Sequence, residues 1–284
     1  MKLIRFGEPG KERPGILDEA GERRSVARFF RDFDELFFEK NGLERLREVL
    51  AKNTDLPKVP KKTRWASPVA RPSKIVCAGL NYADHARETG ASIPPEPIIF
   101  LKSTTALCGP FDSVVIPRGS LKTDWEVEIA VVIGRAMRSV LEEDASACIA
   151  GFCLHNDLSE REYQLERGGQ WDKGKGCDTF APLGPWLATP DEIADPNNLR
   201  LWLSVNGTMR QDSNTRQFVF KIPFLLSYIS HFMTLLPGDA VSTGTPPGVG
   251  LGLNPPVYLR PGDVMELGAD GLGVSRQVCV SSNF

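Results

Sequence analysis

The sequence predicts a β-rich α+β fold with a small α+β domain at its N-terminus. Short runs of β-branched and aromatic residues recur throughout, Gly (26) and Pro (22) punctuate them, and helix-like text is confined to a few stretches. In residues 1–65, LIRF and PGILDEAGERRSV read as a short hairpin. Asp32 to Lys52 reads as charged helical text, and Pro57, Pro60, Lys61 and Lys62 mark a linker. Residues 66–284 read as one large domain, with strands expected in SKIVCAGL, PIIFLK, SVVIP, EVEIAVVIG, LRLWLSVNG, DAVSTGT and DVMELGA. Two helices are expected to interrupt them. One runs from Ser139 to Cys148, with Glu142 and Glu143 in a capped first turn, and the other from Ile222 to Leu235.

Composition excludes several function classes. Lys and Arg total 34 against 36 Asp and Glu, a net charge of −2 that leaves no basic footprint for nucleic acid. The most apolar stretch, Phe224 to Leu236, contains His231 and ends at Pro237-Gly238, short of the roughly 18 residues a spanning helix needs. The opening MKLIRFGEPG has no apolar run of the kind a secretory signal carries, so a cytoplasmic protein is expected. The six cysteines show no C-x-x-C spacing and read as reduced and structural, Cys177 excepted.

Five motifs carry chemistry. In Asp124-Trp-Glu126-Val-Glu128, a strand with its period of two would line three carboxylates on one face, where a divalent cation would neutralise all of them; a solvated acidic face is the alternative. Asp157 ends an apolar run, and Arg161 and Gln164 at +4 and +7 would share a helical face with it, or Asp157 would simply cap that helix. The run Gly169 to Lys175 has the spacing of a phosphate-binding loop. Gly176 replaces the required Ser or Thr, and Pro182 and Pro185 forbid the following helix, so a nucleotide site is rejected. What remains there is Lys175 between two glycines, a site ammonium or a surface lysine. His85 and Glu88 stand three apart on a very short helix, where a carboxylate can orient an imidazole base. Ser242 to Gly250 is a glycine-rich turn suited to a carboxylate or to no ligand at all.

In order and composition, GLNYADHARE, DWEVEIAVVIG, NDLSEREYQ, KGKGCDTFAPLGPW and STGTPPGV resemble the fumarylacetoacetate hydrolase family over roughly residues 70 to 280. The resemblance implies the family's mixed β-sandwich roll, a homodimer, and a Mg²⁺ ion for which Mn²⁺ or Ca²⁺ can substitute. It also implies a small keto acid as substrate. It makes Glu126, Glu128 and Asp157 the metal ligands, places Lys175, Arg161, Gln164 and Thr245 around the substrate, and puts His85 and Glu88 on a lid. The phrase SEREYQLERGGQWDKGKGCDTF is most similar to the bacterial branch that includes hydrolases of 2,4-diketo-3-deoxy sugar acids.

The expected reaction is therefore hydrolysis of the C–C bond of a 2,4-diketo acid to pyruvate and a carboxylic acid. Water activated by His85 and Glu88 attacks C4, and the metal and Lys175 stabilise the developing enolate. Oxaloacetate decarboxylation, isomerisation of an unsaturated keto diacid, or a metal-stabilised binding protein are the alternatives, because fold alone does not separate them. A hydroxylated C6 substrate is expected if Glu160, Glu162, Glu166 and Gln170 face the site. A lid from about Tyr82 to Pro95, hinged at Gly79 and Gly90 and capped by Asn81, is expected to order over the ligand.

Overall fold

The computed structural model describes residues 1–53, 55–84 and 92–282. Its principal strands are β1 (Lys2–Phe6), β2 (Arg13–Leu17), β3 (Arg23–Ser25), β4 (Ile75–Gly79), β5 (Ile98–Lys102), β6 (Val114–Ile116) and β7 (Val127–Ile133). They continue with β8 (Ile149–Asn156), β9 (Leu187–Ala188), β10 (Arg200–Val205), β11 (Thr208–Asn214), β12 (Ala240–Ser242), β13 (Val264–Ala269) and β14 (Gly273–Ser281). Among the described residues the ten-stranded sheet runs β3-β2-β1-β9-β8-β7-β12-β4-β5, with Trp65–Ala66 paired to β1, and the five-stranded sheet runs β11-β10-β13-β14-β6. The β-rich α+β class read from the text is the class observed.

Strand β7, VEIAVVI, is buried at every position, as a central strand covered on both faces must be. Its alternation distributes the core. Val127, Ile129, Val131 and Ile133 join Leu201, Leu203, Met265 and Leu267 of the smaller sheet, whereas Ala130 and Val132 join Phe33 and, from the N-terminal helices, Phe37, Phe38 and Leu46. Those helices are α1 (Glu35–Glu39), whose first turn is capped by the Asp34 carboxylate accepting from Phe37 N at 2.9 Å, and α2 (Gly42–Lys52). Strand β1 pairs with β9, Lys2 opposite Ala188, so residues on both sides of the linker share the large sheet.

The remaining helices named here are α3 (Glu142–Ala145), α4 (Asp172–Lys175) and α5 (Ile222–Phe232). Helix α5 buries Ile222, Leu225, Leu226 and Ile229 at helical spacing, each worth about 1.5–3 kcal/mol when fully buried. No helix among the described residues is long and apolar enough to cross a membrane.

Three local expectations need correction. The helix expected from Ser139 starts three residues later: Ser139 has φ +51° and donates its N–H to Ser230 O, and Leu141 stands at the N-cap position. The acidic stretch is not one strand, because Asp124 belongs to a two-residue bridge with Ser159 and the chain re-enters the sheet only at Val127. No helix begins at Asp157. Ser159–Glu160 is extended, and a helical turn follows only at Arg161.

Candidate active site

Glu126, Glu128 and Asp157 are buried, and one oxygen from each lies within 4.8 Å of the others. Glu128 is the second residue of β7, Glu126 precedes the strand, and Asp157 follows β8, its N–H donating to Glu126 O at 2.9 Å. Glu128 Oε2 accepts from Ser242 Oγ at 2.5 Å and from Gly244 N at 2.9 Å. Ser242 Oγ lies 2.7 Å from His155 Nδ1. With Glu128 ionised, Ser242 donates its hydroxyl proton to the carboxylate and accepts from His155, which selects the Nδ1–H tautomer of the imidazole. Glu128 and His155 are directly opposite across β7 and β8, so their side chains share a face. Burial pulls the His155 pKa down to about 3, and the ring is neutral.

Three buried cations answer the carboxylates. Lys175 Nζ donates to Glu126 Oε2 at 2.7 Å and to Asp157 Oδ2 at 2.9 Å. Lys102 Nζ takes the other Asp157 oxygen at 2.5 Å and also Leu158 O at 2.9 Å. Arg161 donates through Nε to Asp124 Oδ2 at 2.8 Å, through Nη2 to Glu126 Oε1 at 2.7 Å, and through Nη1 to Gln164 Oε1 at 3.0 Å. Burial works to raise the Asp157 pKa, but Lys102 and Lys175 outweigh it and hold the carboxyl below the usual range. Desolvation likewise works against the Lys175 ammonium, and Asp157 and Glu126 reverse it and raise its pKa. Glu128 goes the other way: burial, then the charges of Asp157 and Glu126, push its carboxyl well above the ordinary value. Glu126, Glu128, Arg161 and Lys175 floor a cavity of about 550 Å³, which Gln164 and Thr245 also line. Thr245 Oγ1 donates to Val127 O at 3.0 Å and accepts from Gln211 Nε2 at 2.8 Å.

The family model for the fumarylacetoacetate (FAA) hydrolase C-terminal region matches residues 74–280. A relative from Burkholderia multivorans, whose name goes no further than hydrolase, is 51% identical over 279 residues, 98% of each chain. The chain belongs to the fumarylacetoacetate hydrolase family. Solved members agree along their whole lengths. Fumarylacetoacetate hydrolase from Exiguobacterium antarcticum is 31% identical with a TM-score of 0.84, covering 99% of this chain and 100% of that one. Maleylpyruvate hydrolase from Sphingobium sp. SYK-6, in complex with manganese(II) and pyruvate, is 30% identical with a TM-score of 0.81 and covers 100% of both. A 2-hydroxyhepta-2,4-diene-1,7-dioate isomerase from Mycobacterium marinum is 30% identical with a TM-score of 0.79, also covering 100% of both.

Within this family fold, Glu126, Glu128, Asp157, Lys175, Arg161, Gln164 and Thr245 come together as one site, seven residues spread over about 120 positions of sequence. His85 and Glu88, with the Gly90 hinge, lie outside the described residues. Among the described residues the Asn81 side-chain amide donates to Phe220 O and Thr243 O and accepts from Phe220 N, locking the loop after β4 to the approach of α5; the helix it was expected to cap runs into residues outside those described. Asp124 is a structural anchor, holding Arg161 and accepting from Gly250 N and Leu251 N. The glycine-rich turn does hold carboxylates, but they are the chain's own, Glu128 and Asp124.

Lys102, His155 and Ser242 were not legible as site residues. Each ends or nearly ends an apolar strand, where a single polar residue usually faces solvent, and only the strand order carries them to the carboxylates. The polar quartet expected to meet substrate hydroxyls points elsewhere. Glu160 accepts from Ser120 and Thr123, Glu162 pairs with Arg167, Glu166 with Lys122, and none of the four lines the cavity.

Proposed function

We propose that the protein hydrolyses the C–C bond of a 2,4-diketo acid, releasing pyruvate and a carboxylic acid, with a divalent metal ion held by Glu126, Glu128 and Asp157. The observation that carries this reading is the buried three-carboxylate cluster with Lys175 bonded into it at the floor of a cavity. The donors fit a hard divalent cation, since they are all oxygen, close together, and include Glu128, whose ionisation burial and like charge oppose. With Glu128 ionised, Asp124, Glu126, Glu128 and Asp157 present four negative charges against the three positive charges of Lys102, Lys175 and Arg161. A divalent ion turns that excess of one negative charge into an excess of one positive, which matches a single carboxylate of a 2-keto acid. When bound, such an ion supplies Lewis acidity, and Mg²⁺ or Mn²⁺ both suit the donor set.

The chain's own groups divide the remaining work. His85, oriented by Glu88, takes a proton from water, whose oxygen attacks C4 of the substrate. As the C3–C4 bond breaks, its electron pair passes into the enolate of pyruvate, which takes the proton at C3 from the His85 imidazolium. The Lys175 ammonium, already fixed by two carboxylates in a buried setting, offers a positive charge there at no reorganisation cost. Arg161 is held by three acceptors and keeps Glu126 and Gln164 in place. A hydroxylated sugar-acid substrate has lost the polar quartet that favoured it.

A panel of 2,4-diketo acids, oxaloacetate and unsaturated keto diacids, each with and without Mg²⁺ or Mn²⁺, tests the reading. Metal-dependent pyruvate release with a carboxylic acid co-product is expected from the diketo acids. Release of CO₂ from oxaloacetate alone, or double-bond migration without cleavage, overturns it in favour of a decarboxylase or an isomerase. The isomerase neighbour makes that arm of the panel necessary.

A further inference from the structure

We infer that the part of the substrate beyond the keto-acid head is apolar, an alkyl or aryl acyl group, because among the described residues the cavity joins a charged and polar floor to a wall of mainly apolar side chains. The inference rests on the proposed keto-acid reading for the orientation of the head. Above the floor, the described side chains lining the cavity are those of Leu80, Phe100, Leu165, Trp171, Val249 and Leu251, with Ala78 and two glycines. None of these side chains offers a polar group except the Trp171 indole N–H. Part of the lining backbone is also committed: Leu251 N donates to Asp124, and Gly252 N donates to Val249 O.

The wall is also built, not incidental. Trp171 packs directly on Gly79, where a Cβ would lie 2.9 Å from the indole Cζ3, and it meets Phe100 edge-on with ring centroids 5.4 Å apart. Phe100 in turn lies under the Lys175 ammonium, 4.9 Å from its ring centroid, which joins the apolar wall to the charged floor. Leu165 and Leu251 are 45% and 38% exposed beside this charged site, apolar surface that an acyl chain would cover. A hydroxylated chain against these side chains would exchange water for carbon at most of its hydroxyls, with the Trp171 indole N–H the one side-chain donor among them.

The test uses the full-length protein loaded with Mn²⁺ and measures binding of straight-chain 2-oxo acids from three to eight carbons, together with a polyhydroxylated six-carbon 2-oxo acid, by calorimetry. Affinity is expected to rise roughly fourfold for each methylene buried until the cavity fills. The polyhydroxylated acid should bind more weakly than 2-oxohexanoate. Leu165→Asn and Leu251→Asn, both at exposed positions, should flatten the gradient when each affinity is expressed relative to pyruvate. A flat series, absence of 2-oxo acid binding, or tighter binding of the hydroxylated acid overturns the inference. A steep series in a protein that cleaves no acylpyruvate would sink the hydrolase reading and leave the apolar subsite standing.

Discussion

At the scale of single residues, the site depends on groups that touch no cavity as well as those that do. Ser242 lies between His155 and Glu128, so Ser242→Ala deletes a donor to the carboxylate and leaves the imidazole N–H without its acceptor. Outer partners of a metal ligand typically change metal affinity by about 10–100-fold, and a comparable loss in Mn²⁺ affinity by calorimetry is expected. Unchanged affinity would mean that Gly244 N alone orients Glu128. Lys102 is a different case, since its removal takes the buried ammonium away from Asp157 Oδ1 and Leu158 O. Lys102→Met should cost about 3 kcal/mol in urea unfolding of the metal-free protein. Added Mn²⁺ should recover part of that loss, because a cation returns to the cluster; equal losses with and without metal would assign Lys102 to packing alone. Lys175→Met is expected instead to lower kcat far more than it weakens binding of a 2-oxo acid, and an equal effect on both would remove it from charge stabilisation.

Among the elements, the turn from Ser242 to Gly250 does the most positioning per residue. It takes Glu128 at one end and Asp124 at the other, and through Asp124 it fixes Arg161. Close backbone approach makes this possible at Gly248, which has φ +101° and no room for a Cβ, since one would lie 1.8 Å from Arg210 O. Gly248→Ala therefore forces both a left-handed alanine and a displaced strand β11, and a loss above roughly 2 kcal/mol in stability is expected. The urea midpoint reads it directly, and a change under about 0.5 kcal/mol would show that the turn yields easily.

For the molecule as a whole, His155 and Glu128 pull the pH dependence in opposite directions. His155 has its pKa depressed to about 3 from an ordinary 6.5, so the stability it contributes is present above 6.5 and is lost as pH falls towards 3. His155→Gln should make acid unfolding shallower in that window, and an unchanged slope would assign acid lability to other groups. Glu128 has its pKa raised above 4.5, so its contribution is present at lower pH and disappears as pH rises through the folded value. A divalent ion favours the ionised carboxylate, so binding should tighten with pH across that range and release a proton. Calorimetry of Mn²⁺ binding in buffers of different ionisation enthalpy counts it; buffer-independent heats would mean Glu128 is already ionised in the metal-free protein.

Strands β4, β5, β7, β10 and β13 were legible from local text because alternation and β-branched content act over a few residues, whereas β11 and β14, with their polar text, were not among those expected. The order of the motifs was enough to name Glu126, Glu128, Asp157 and Lys175 and to identify the family. Helix boundaries were not legible around Ser139 and Asp157, where one hydrogen bond to Ser230 and a two-residue bridge to Asp124 outweigh local propensity. Lys102, His155 and Ser242 belong to the site only because β5, β8 and β12 lie beside β4 and β7 in one sheet, and strand order is a property of the whole chain. The same holds for the cavity wall. Leu165 and Leu251 are ordinary apolar residues in the text, and Glu160 and Glu162 looked better suited to meet a substrate. Packing turned the carboxylates inward or to the surface and left the leucines lining the cavity, because each buried charge had to find a partner before the open space was lined.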